Sequence, residues 1–267
     1  MLITVQYPGT CNMDPACPYC YSRPMAQVES GTPEDWLEWL LSIPGGPHHF
    51  SFGFGETLQA RCMPLYTGLI AAGHQLSLTT NLLCDPAIAD GLSLTLCTSW
   101  HPHGMTLSEF MLRRQAMTDR GHTVGVALLV GYPPYLQHLA AWQDEFETVE
   151  GRRLHVIDYC GTYEGRVYPG AYSIEDREAV HGPVNPRYQG NDEAHNWIVQ
   201  SPRGQRCWVG VKYLLIDQAG AARACPNDLR TVIGNVQDGL TVPTEPISCG
   251  CDRCGCVDMW KFIEVVE

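Results

Sequence analysis

Short apolar runs alternate with longer amphipathic runs over the first part of the chain. The apolar runs predict strands at 2–7, 48–54, 75–80, 93–100, 123–130 and 153–159. The amphipathic runs predict helices that begin near 32 and 173, and further helices over 58–72, 85–90, 106–120 and 134–149. About six βα units of this kind predict a parallel sheet, open or partly closed into a barrel, with ligands at the carboxyl ends of the strands.

Capping residues mark three of the predicted helix starts. Thr32, Thr106 and Ser173 each stand before a helical pattern and are followed by acidic residues within the first turn. A hydroxyl at this position accepts a backbone N–H that the first turn leaves without a partner. These residues therefore predict where the three helices begin.

The pattern changes after residue 182. Residues 183–206 are rich in Pro, Gly, Asn and Gln and predict a linker. Two short apolar runs at 208–217 and 221–225 flank a glycine turn and predict a β-hairpin, and 259–266 predicts a closing helix or strand. We therefore predict a first domain over 1–182, a linker over 183–206 and a small domain over 207–267.

Composition and charge narrow the functional classes. Hydrophobic residues make up 45% of the 267 residues, enough for a substantial core. The net charge of −12 argues against a broad phosphate-binding surface, and so against nucleic acid as a partner. Met1 leads directly into the first predicted strand, and no apolar run approaches the ~20 residues of a membrane span. We expect a cytoplasmic protein without a membrane partner.

Thirteen cysteines indicate metal binding, since no signal peptide suggests a disulfide framework. Cys11, Cys17 and Cys20 form a C-x5-C-x2-C loop directly after the first predicted strand. Three thiolates on one loop can hold three irons of a four-iron cluster and leave the fourth iron without a protein ligand. A zinc site is the alternative, but three clustered thiolates without a nearby fourth ligand suit zinc poorly.

The other cysteines fall into a scattered set and a C-terminal set. Free cysteine packs well in cores, so the scattered ones are interpreted as buried hydrophobic residues, namely Cys62, Cys84, Cys97 and Cys160. Among these, Cys160 stands out because it follows a predicted strand, where a barrel presents its catalytic face. The C-terminal set has the spacing of a ligand cluster and comprises Cys207, Cys225, Cys249, Cys251, Cys254 and Cys256.

On these motifs the chain resembles the radical S-adenosylmethionine (SAM) superfamily, specifically its members with a short C-terminal SPASM or twitch extension. The likeness covers nearly the whole chain. The superfamily usually carries C-x3-C-x2-C, whereas here two further residues separate the first pair, so the loop must bulge to keep its sulfurs convergent. The resemblance implies an α/β fold: a partial (β/α)6 TIM-like barrel followed by a small β-hairpin/helix iron–sulfur domain.

The same resemblance implies a SAM site at the strand ends. Tyr19 matches the aromatic position that packs against adenine, and Gly55 with Glu56 matches the segment that binds the methionine amino group. Hydroxyl and amide residues at the next strand ends match contacts to the SAM carboxylate and ribose, namely Thr80, Asn81 and Ser99, while Val130 stands where it could flank the adenine. Turn chemistry explains several of these residue types equally well.

The C-terminal set resembles the opening of SPASM and twitch domains, since Cys207 and Cys225 flank Gly220 at the spacing C-x(9–15)-G-x4-C. With the C-x2-C pair Cys251 and Cys254, the resemblance implies four ligands for one auxiliary [4Fe–4S] cluster. Cys249 and Cys256 bracket that pair and leave the ligand set open. A zinc knuckle with four cysteines remains an alternative.

The resemblance implies an enzyme that reductively cleaves SAM to a 5′-deoxyadenosyl radical and abstracts hydrogen from a substrate. We expect oxidation or rearrangement of a small metabolite, with a flavodoxin or ferredoxin-type reductant as partner. Modification of a peptide or protein side chain, by a peptide maturase or a glycyl-radical activase, is the alternative. A non-enzymatic zinc or electron-carrier protein is another. Candidate catalytic residues follow the sixth predicted strand: Asp158, Tyr159 and Cys160.

Two aromatic groups are given structural interpretations. His101 and His103, separated by a proline, are expected to be surface residues. A group of tyrosines is expected to cover the barrel rather than line a substrate mouth, namely Tyr159, Tyr163, Tyr168 and Tyr172.

Overall fold

The computed structural model describes residues 1–7, 11–20, 31–181, 203–226, 231–250 and 263–264. The helices are α1 (Pro33–Leu41), α2 (Met63–Ala71), α3 (Leu107–Asp119), α4 (Leu139–Glu150) and α5 (Ile174–His181). The strands of the barrel are β1 (Leu2–Val5), β2 (His49–Phe52), β3 (Gln75–Thr80), β4 (Thr95–Ser99), β5 (Thr123–Val130) and β6 (His155–Ile157). The later strands are β7 (Gly161–Tyr163), β8 (Arg166–Tyr168), β9 (Arg206–Cys207), β10 (Tyr213–Ile216), β11 (Ala221–Arg223), β12 (Val232–Asn235), β13 (Ile247–Ser248) and β14 (Ile263–Glu264).

Nine strands form one sheet in the order β12-β11-β10-β1-β2-β3-β4-β5-β6. Strand β10 and the six strands β1 to β6 run parallel to one another. Strand β11 pairs antiparallel with β10, and β12 pairs antiparallel with β11. All six predicted barrel strands are present and lie side by side in chain order. The predicted α/β fold, a partial TIM-like barrel, is confirmed.

Side-chain caps fix three helix starts where the sequence predicts them. Thr32 and Asp35 exchange hydrogen bonds at the start of α1, each side chain accepting the other's backbone N–H. Ser173 and Asp176 make the same reciprocal pair before α5. At α3 the Thr106 hydroxyl accepts a backbone N–H of the first turn. Each cap satisfies a donor that the helix itself cannot.

Three of the predicted helices contain 3-10 turns. The segment predicted as a helix over 85–90 is a 3-10 turn at Pro86–Ala89. Similar turns precede α2 at Ala60–Cys62 and α4 at Pro133–His138. Short 3-10 turns are frequent at helix ends and as connectors. None of the helices in the described part of the chain is long and apolar enough to cross a membrane.

The two faces of the barrel sheet differ because the crossover helices lie on only one of them. Strands β1 to β6 step in one direction, and parallel crossovers share one hand, so the helices between them pack on a single face. We call this the helix face. It carries Phe52, whose ring centroid lies 5.0 Å from that of Tyr66 in α2, and Thr98, whose hydroxyl accepts from Arg114 of α3. The opposite side is the open face.

Strand side chains alternate between the faces, and burial follows the alternation. Eight apolar side chains on the helix face are almost completely buried, namely Ile3, Val5, Phe50, Phe52, Leu76, Leu78, Leu96 and Leu129. On the open face Thr4, Ser51, Ser77 and Cys97 are only half-buried. The main hydrophobic core therefore lies between the sheet and the helices.

The predicted C-terminal hairpin is present as β10 and β11, which pair antiparallel. Its first strand also pairs parallel with β1, with Leu2 opposite Tyr213. Strands β13, β9 and β14 form a separate three-stranded sheet. The hairpin therefore extends the barrel sheet. Residues 183–202 of the predicted linker lie outside the described residues, and of the closing segment only β14 is described.

A short hairpin after β6 was not predicted. Strands β7 and β8 pair antiparallel, with Gly161 opposite Tyr168. The turn between them places Glu164 and Gly165 at φ of 47° and 75°, the left-handed conformation that a two-residue hairpin turn requires. The signal is a single glycine between strands of three residues, too short for a periodicity argument.

Candidate active site

The three-cysteine loop follows β1 and is fastened to the end of β3. Asn12, the residue after Cys11, accepts a 2.7 Å hydrogen bond from the side-chain amide of Asn81. Within the loop the Cys20 backbone N–H donates to the Cys17 carbonyl at 3.2 Å. Cys11 is exposed, Cys17 buried and Cys20 half-buried. The loop is therefore held at the carboxyl edge of the sheet.

The sulfurs of this loop influence one another electrostatically. Burial, followed by the neighbouring Cys11 and Cys20, raises the pKa of Cys17 to about 12. Among the described residues, no three His, Cys, Asp or Glu side chains are placed to hold a single metal ion. In a four-iron cluster each thiolate binds a different iron, so its ligands need not converge on one point. Cys11, Cys17 and Cys20 are therefore the candidate ligands for such a cluster.

The expectation that His101 and His103 are surface residues is wrong. His101 Nδ1 lies 2.9 Å from the Tyr19 hydroxyl and 3.4 Å from Cys17 Sγ. The rings of His101 and Tyr19 stack, and His103 meets Tyr19 edge-on. Burial, and then the neighbouring His103, lower the pKa of His101 to about 4. A neutral imidazole therefore supports the aromatic residue of the cysteine loop.

Further tyrosines continue this aromatic contact across the strand ends. Tyr132, just beyond β5, lies 5.2 Å from both Tyr19 and Tyr159 between ring centroids. The Tyr172 hydroxyl donates to the Gly131 carbonyl and accepts the Tyr159 backbone N–H. Three members of the predicted covering group are buried, namely Tyr159, Tyr168 and Tyr172. The aromatic rings therefore form a packed surface beside the cysteine loop.

The turn after β2 has a strained backbone and a buried acid. Phe54 and Gly55 both adopt the left-handed conformation, at φ of 73° and 64°, which costs a non-glycine residue roughly 1–2 kcal/mol. Glu56 is fully buried, and its two oxygens accept the backbone N–H groups of Leu58 and Asn81, each at 2.8 Å. Burial, opposed by hydrogen bonds, raises the pKa of Glu56 to about 7. The carboxylate thus ties the ends of β2 and β3 together.

The remaining predicted cofactor residues lie at neighbouring strand ends. Thr80 is buried, and its hydroxyl accepts the Leu82 backbone N–H at 3.0 Å. Ser99 and Val130 are the last residues of β4 and β5 and are half-buried. The structure therefore gathers the predicted SAM contacts along one edge of the sheet, next to the cysteine loop.

The candidate catalytic residues follow β6 on the same edge. Asp158 Oδ1 lies 3.1 Å from His181 Nε2 of α5. Tyr159 is buried, whereas Cys160 is exposed, contrary to the interpretation of the scattered cysteines as buried. Partial burial of its sulfur, and then the Asp158 carboxylate, raise the pKa of Cys160. Its thiol is therefore accessible and protonated at neutral pH.

The described C-terminal cysteines share a second apolar cluster. Cys207 is buried there with Tyr213 and Leu215, while Cys225 and Cys249 pack at its edge. Cys249 continues the pairing of β13 with β9, since its backbone N–H donates to the Gln205 carbonyl at 2.8 Å. Cys251, Cys254 and Cys256 lie outside the described residues. Cys249, which the sequence left as an alternative ligand, is thus close to two predicted ones.

Sequence reasoning missed several contacts of this site. Asn12 lies inside the cysteine loop, where no sequence pattern distinguishes it. His101 follows a strand end, at a distance of 84 residues from Cys17 along the chain. Position at the carboxyl edge was the available signal for His101, because that edge is where a barrel binds its ligands.

No family model and no curated protein matches the sequence. Solved structures match the fold. The structure of anSMEcpe with bound AdoMet and the Cp18Cys peptide has a TM-score of 0.58 at 16% identity, over 90% of this chain and 78% of that one. A second, anSMEcpe with bound AdoMet, has a TM-score of 0.57 at 16% identity, over 90% and 79%.

The crystal structure of SuiB from Streptococcus suis has a TM-score of 0.54 at 13% identity, over 89% of this chain and 63% of that one. These proteins are radical SAM enzymes with SPASM-type extensions. At such low identities the similarity is one of fold. The chain therefore has the fold of the radical SAM enzymes.

Proposed function

We propose that this chain is a radical SAM enzyme whose cysteine loop holds a [4Fe–4S] cluster with one iron open to SAM. The observation that carries this proposal is the position of Cys11, Cys17 and Cys20. Hydrogen bonding between Asn12 and Asn81 fixes their loop over the carboxyl edge of a partial barrel, where parallel sheets bind ligands. The shared fold of structures with bound AdoMet supports the same site.

A cluster bound here, once reduced, supplies the electron that cleaves SAM into methionine and a 5′-deoxyadenosyl radical, which takes hydrogen from the substrate. The chain positions SAM and excludes water. Glu56, whose oxygens accept the backbone N–H groups of Leu58 and Asn81, is the proposed acceptor for the methionine amino group of SAM. We place Tyr19, Tyr132 and Val130 beside the adenine. Thr80, Asn81 and Ser99 border the ribose and carboxylate.

The second apolar cluster supports an auxiliary [4Fe–4S] site. Cys207 and Cys225 meet there, and Cys251 with Cys254 completes the proposed ligand set. Four thiolates saturate such a cluster, so its role is electron transfer rather than substrate ligation. A flavodoxin or ferredoxin-type protein is the proposed reductant. We retain a small metabolite as the proposed substrate, oxidised or rearranged by hydrogen abstraction.

A peptide or protein side chain is the second candidate substrate. It is favoured by one observation, namely that a solved structure of the same fold contains a bound peptide. Measured turnover of a peptide, or a stoichiometric radical left on a partner protein, would identify this class.

Anaerobic reconstitution tests the proposal. The wild-type protein is expected to hold about eight irons per chain and to form 5′-deoxyadenosine from SAM with dithionite. Cys20→Ala removes a proposed ligand and should lower the iron content to about four and abolish 5′-deoxyadenosine. Cys62→Ala is the matched control, since Cys62 is a fully buried core residue. Zinc in place of iron, or 5′-deoxyadenosine formation that survives in Cys20→Ala, would overturn the proposal.

A further inference from the structure

A row of hydroxyl side chains crosses four neighbouring strands of the barrel. The register places Thr4 of β1 opposite Ser51 of β2, Ser51 opposite Ser77 of β3, and Ser77 opposite Thr95 of β4. Neighbouring strands lie roughly 5 Å apart, so the row presents one hydroxyl group about every 5 Å. We call these four residues the hydroxyl row.

The hydroxyl row lies on the open face. Its members alternate along their strands with the buried residues Val5, Phe50, Leu78 and Leu96 of the helix face. Thr4, Ser51 and Ser77 are half-buried and Thr95 is exposed. On the neighbouring strand β5, Val126 remains 49% exposed. Strand positions of this sheet are therefore open to solvent on the side away from the helices.

Polar side chains continue from the row towards the carboxyl edge. Thr79 lies opposite Cys97 in the register, two residues beyond Ser77 on β3. Ser99 follows Cys97 on the same face of β4. The row is therefore connected, along one face, with the strand ends where SAM is proposed to bind.

The opposite end of the row meets the second apolar cluster. Leu215 of β10 lies opposite Thr4, and Leu215 packs in the cluster that contains Cys207 and Cys225. A molecule lying on the row would thus have the proposed SAM site at the carboxyl edge and the proposed auxiliary site beside it.

The strands carry few ionisable side chains on the open face. On the described strands β1 to β6 and β10, the residues that share the face of the hydroxyl row include no Asp, Glu, Lys or Arg. They do include His49, whose Nε2 bonds the Ser77 hydroxyl, and burial lowers the pKa of this histidine. A phosphate or carboxylate substrate would need a cationic partner, because an unpaired charge is costly to desolvate. Hydroxyl groups, in contrast, both donate and accept hydrogen bonds.

We propose that the hydroxyl row binds the substrate and selects a neutral, hydroxyl-rich molecule of the sugar class. This inference rests on the proposed function, because it names the substrate class of the same site. Sugar hydroxyls, which donate and accept, match the hydroxyl groups of the row, among which Ser77 also bonds His49. A peptide would offer mainly amides and apolar side chains, and is the competing outcome.

Saturation-transfer NMR on the anaerobically reconstituted protein without reductant tests this binding. The probes are D-glucose, D-galactose, glucose 6-phosphate and the capped peptide N-acetyl-trialanine amide. We expect the neutral hexoses to bind with millimolar Kd, and the phosphate and peptide at least about tenfold more weakly. The double variant Thr4→Val/Ser51→Ala removes two hydrogen-bonding groups and should weaken hexose binding about tenfold.

Ser108→Ala on α3 is the control, since this exposed hydroxyl lies outside the barrel face, and it should leave hexose binding unchanged. The single variants Thr4→Val and Ser51→Ala should each weaken binding about threefold, which keeps the test valid if the double variant fails to fold. Hexose binding that is absent from the wild type, unchanged in the variants, or weaker than peptide or phosphate binding would overturn the proposal. Because no SAM cleavage is needed, its failure is distinguishable from failure of the proposed function.

Discussion

The helix face and the open face of the barrel sheet use alternate residues of the same strands in opposite ways. On β2, Phe50 is completely buried against the helices, and the next residue, Ser51, is a half-buried hydroxyl on the other side. The same contrast recurs at Leu78 and Thr79 on β3. One side of the sheet supplies the core, and the other supplies hydrogen-bonding groups.

Neighbouring residues of one strand therefore serve different purposes: one stabilises the fold, and the next is available to bind a ligand. Apolar burial stabilises a fold by roughly 25 cal/mol per Å², and that burial is concentrated on the helix face. Half-exposed hydroxyl groups add little to folding, because water satisfies them equally well in the unfolded chain. Substitutions on the two faces should therefore have different consequences.

The largest expected contrast is between Phe50→Ala and Ser51→Ala. Phe50→Ala leaves a cavity in the core and should lower the free energy of unfolding by about 3–5 kcal/mol. Ser51→Ala, one residue away, should change it by less than about 1 kcal/mol. Urea unfolding followed by circular dichroism measures both values. Equal destabilisation by the two variants would contradict the distinction between the faces.

A buried ion pair gives the next effect. Arg114 is 1% exposed and bonds Glu150 at 3.0 and 3.1 Å, as well as the Thr98 hydroxyl. Arg114→Met leaves these groups without a partner on the helix side of β4 and should lower the free energy of unfolding by about 3 kcal/mol. Arg120→Met is the matched control, because its pair with Asp90 is exposed and worth under about 1 kcal/mol. A similar midpoint shift in both variants would show that Arg114 is not a core element.

The smallest effect concerns pH and Glu56. Burial raises the pKa of this carboxyl to about 7, while hydrogen bonds from the iron-bound amino group of SAM favour its charged form. Below pH 7 a proton must therefore leave before SAM binds, and affinity should fall up to about tenfold per pH unit. Above pH 7 affinity should level off.

Calorimetry of SAM binding in buffers of different ionisation enthalpy measures the released proton. Glu56→Gln removes this titrating group, so the part of the proton release and of the pH dependence that belongs to Glu56 should disappear. The same pH dependence in wild type and Glu56→Gln between pH 5.5 and 8 would contradict a role for Glu56 in binding the amino group.

Local patterns were sufficient to predict most of the barrel. Short apolar runs predicted the six parallel strands, and Thr32, Thr106 and Ser173 marked helix starts because capping is a contact within one turn. The β7–β8 hairpin escaped because its strands are too short to show a period. The pairing of β10 with β1 joins residues about 200 positions apart, for which local chemistry provides no signal.

The candidate site was predictable where spacing alone defines the chemistry, as it does for Cys11, Cys17 and Cys20. The contact between His101 and Tyr19 was not, since it depends on how the loop after β1 folds over the end of β4. The hydroxyl row also required the register. Ser and Thr are scattered along the sequence, and only strand pairing aligns Thr4, Ser51 and Ser77.

The most direct test of the central claim is pulsed EPR of the reduced protein with SAM carrying nitrogen-15 in its amino group. If the open iron on the Cys11–Cys17–Cys20 loop chelates SAM, the cluster signal will show hyperfine coupling to that nitrogen, and Cys20→Ala will lose it. A fully iron-loaded protein whose EPR signal is unchanged by SAM and shows no such coupling would contradict the claim.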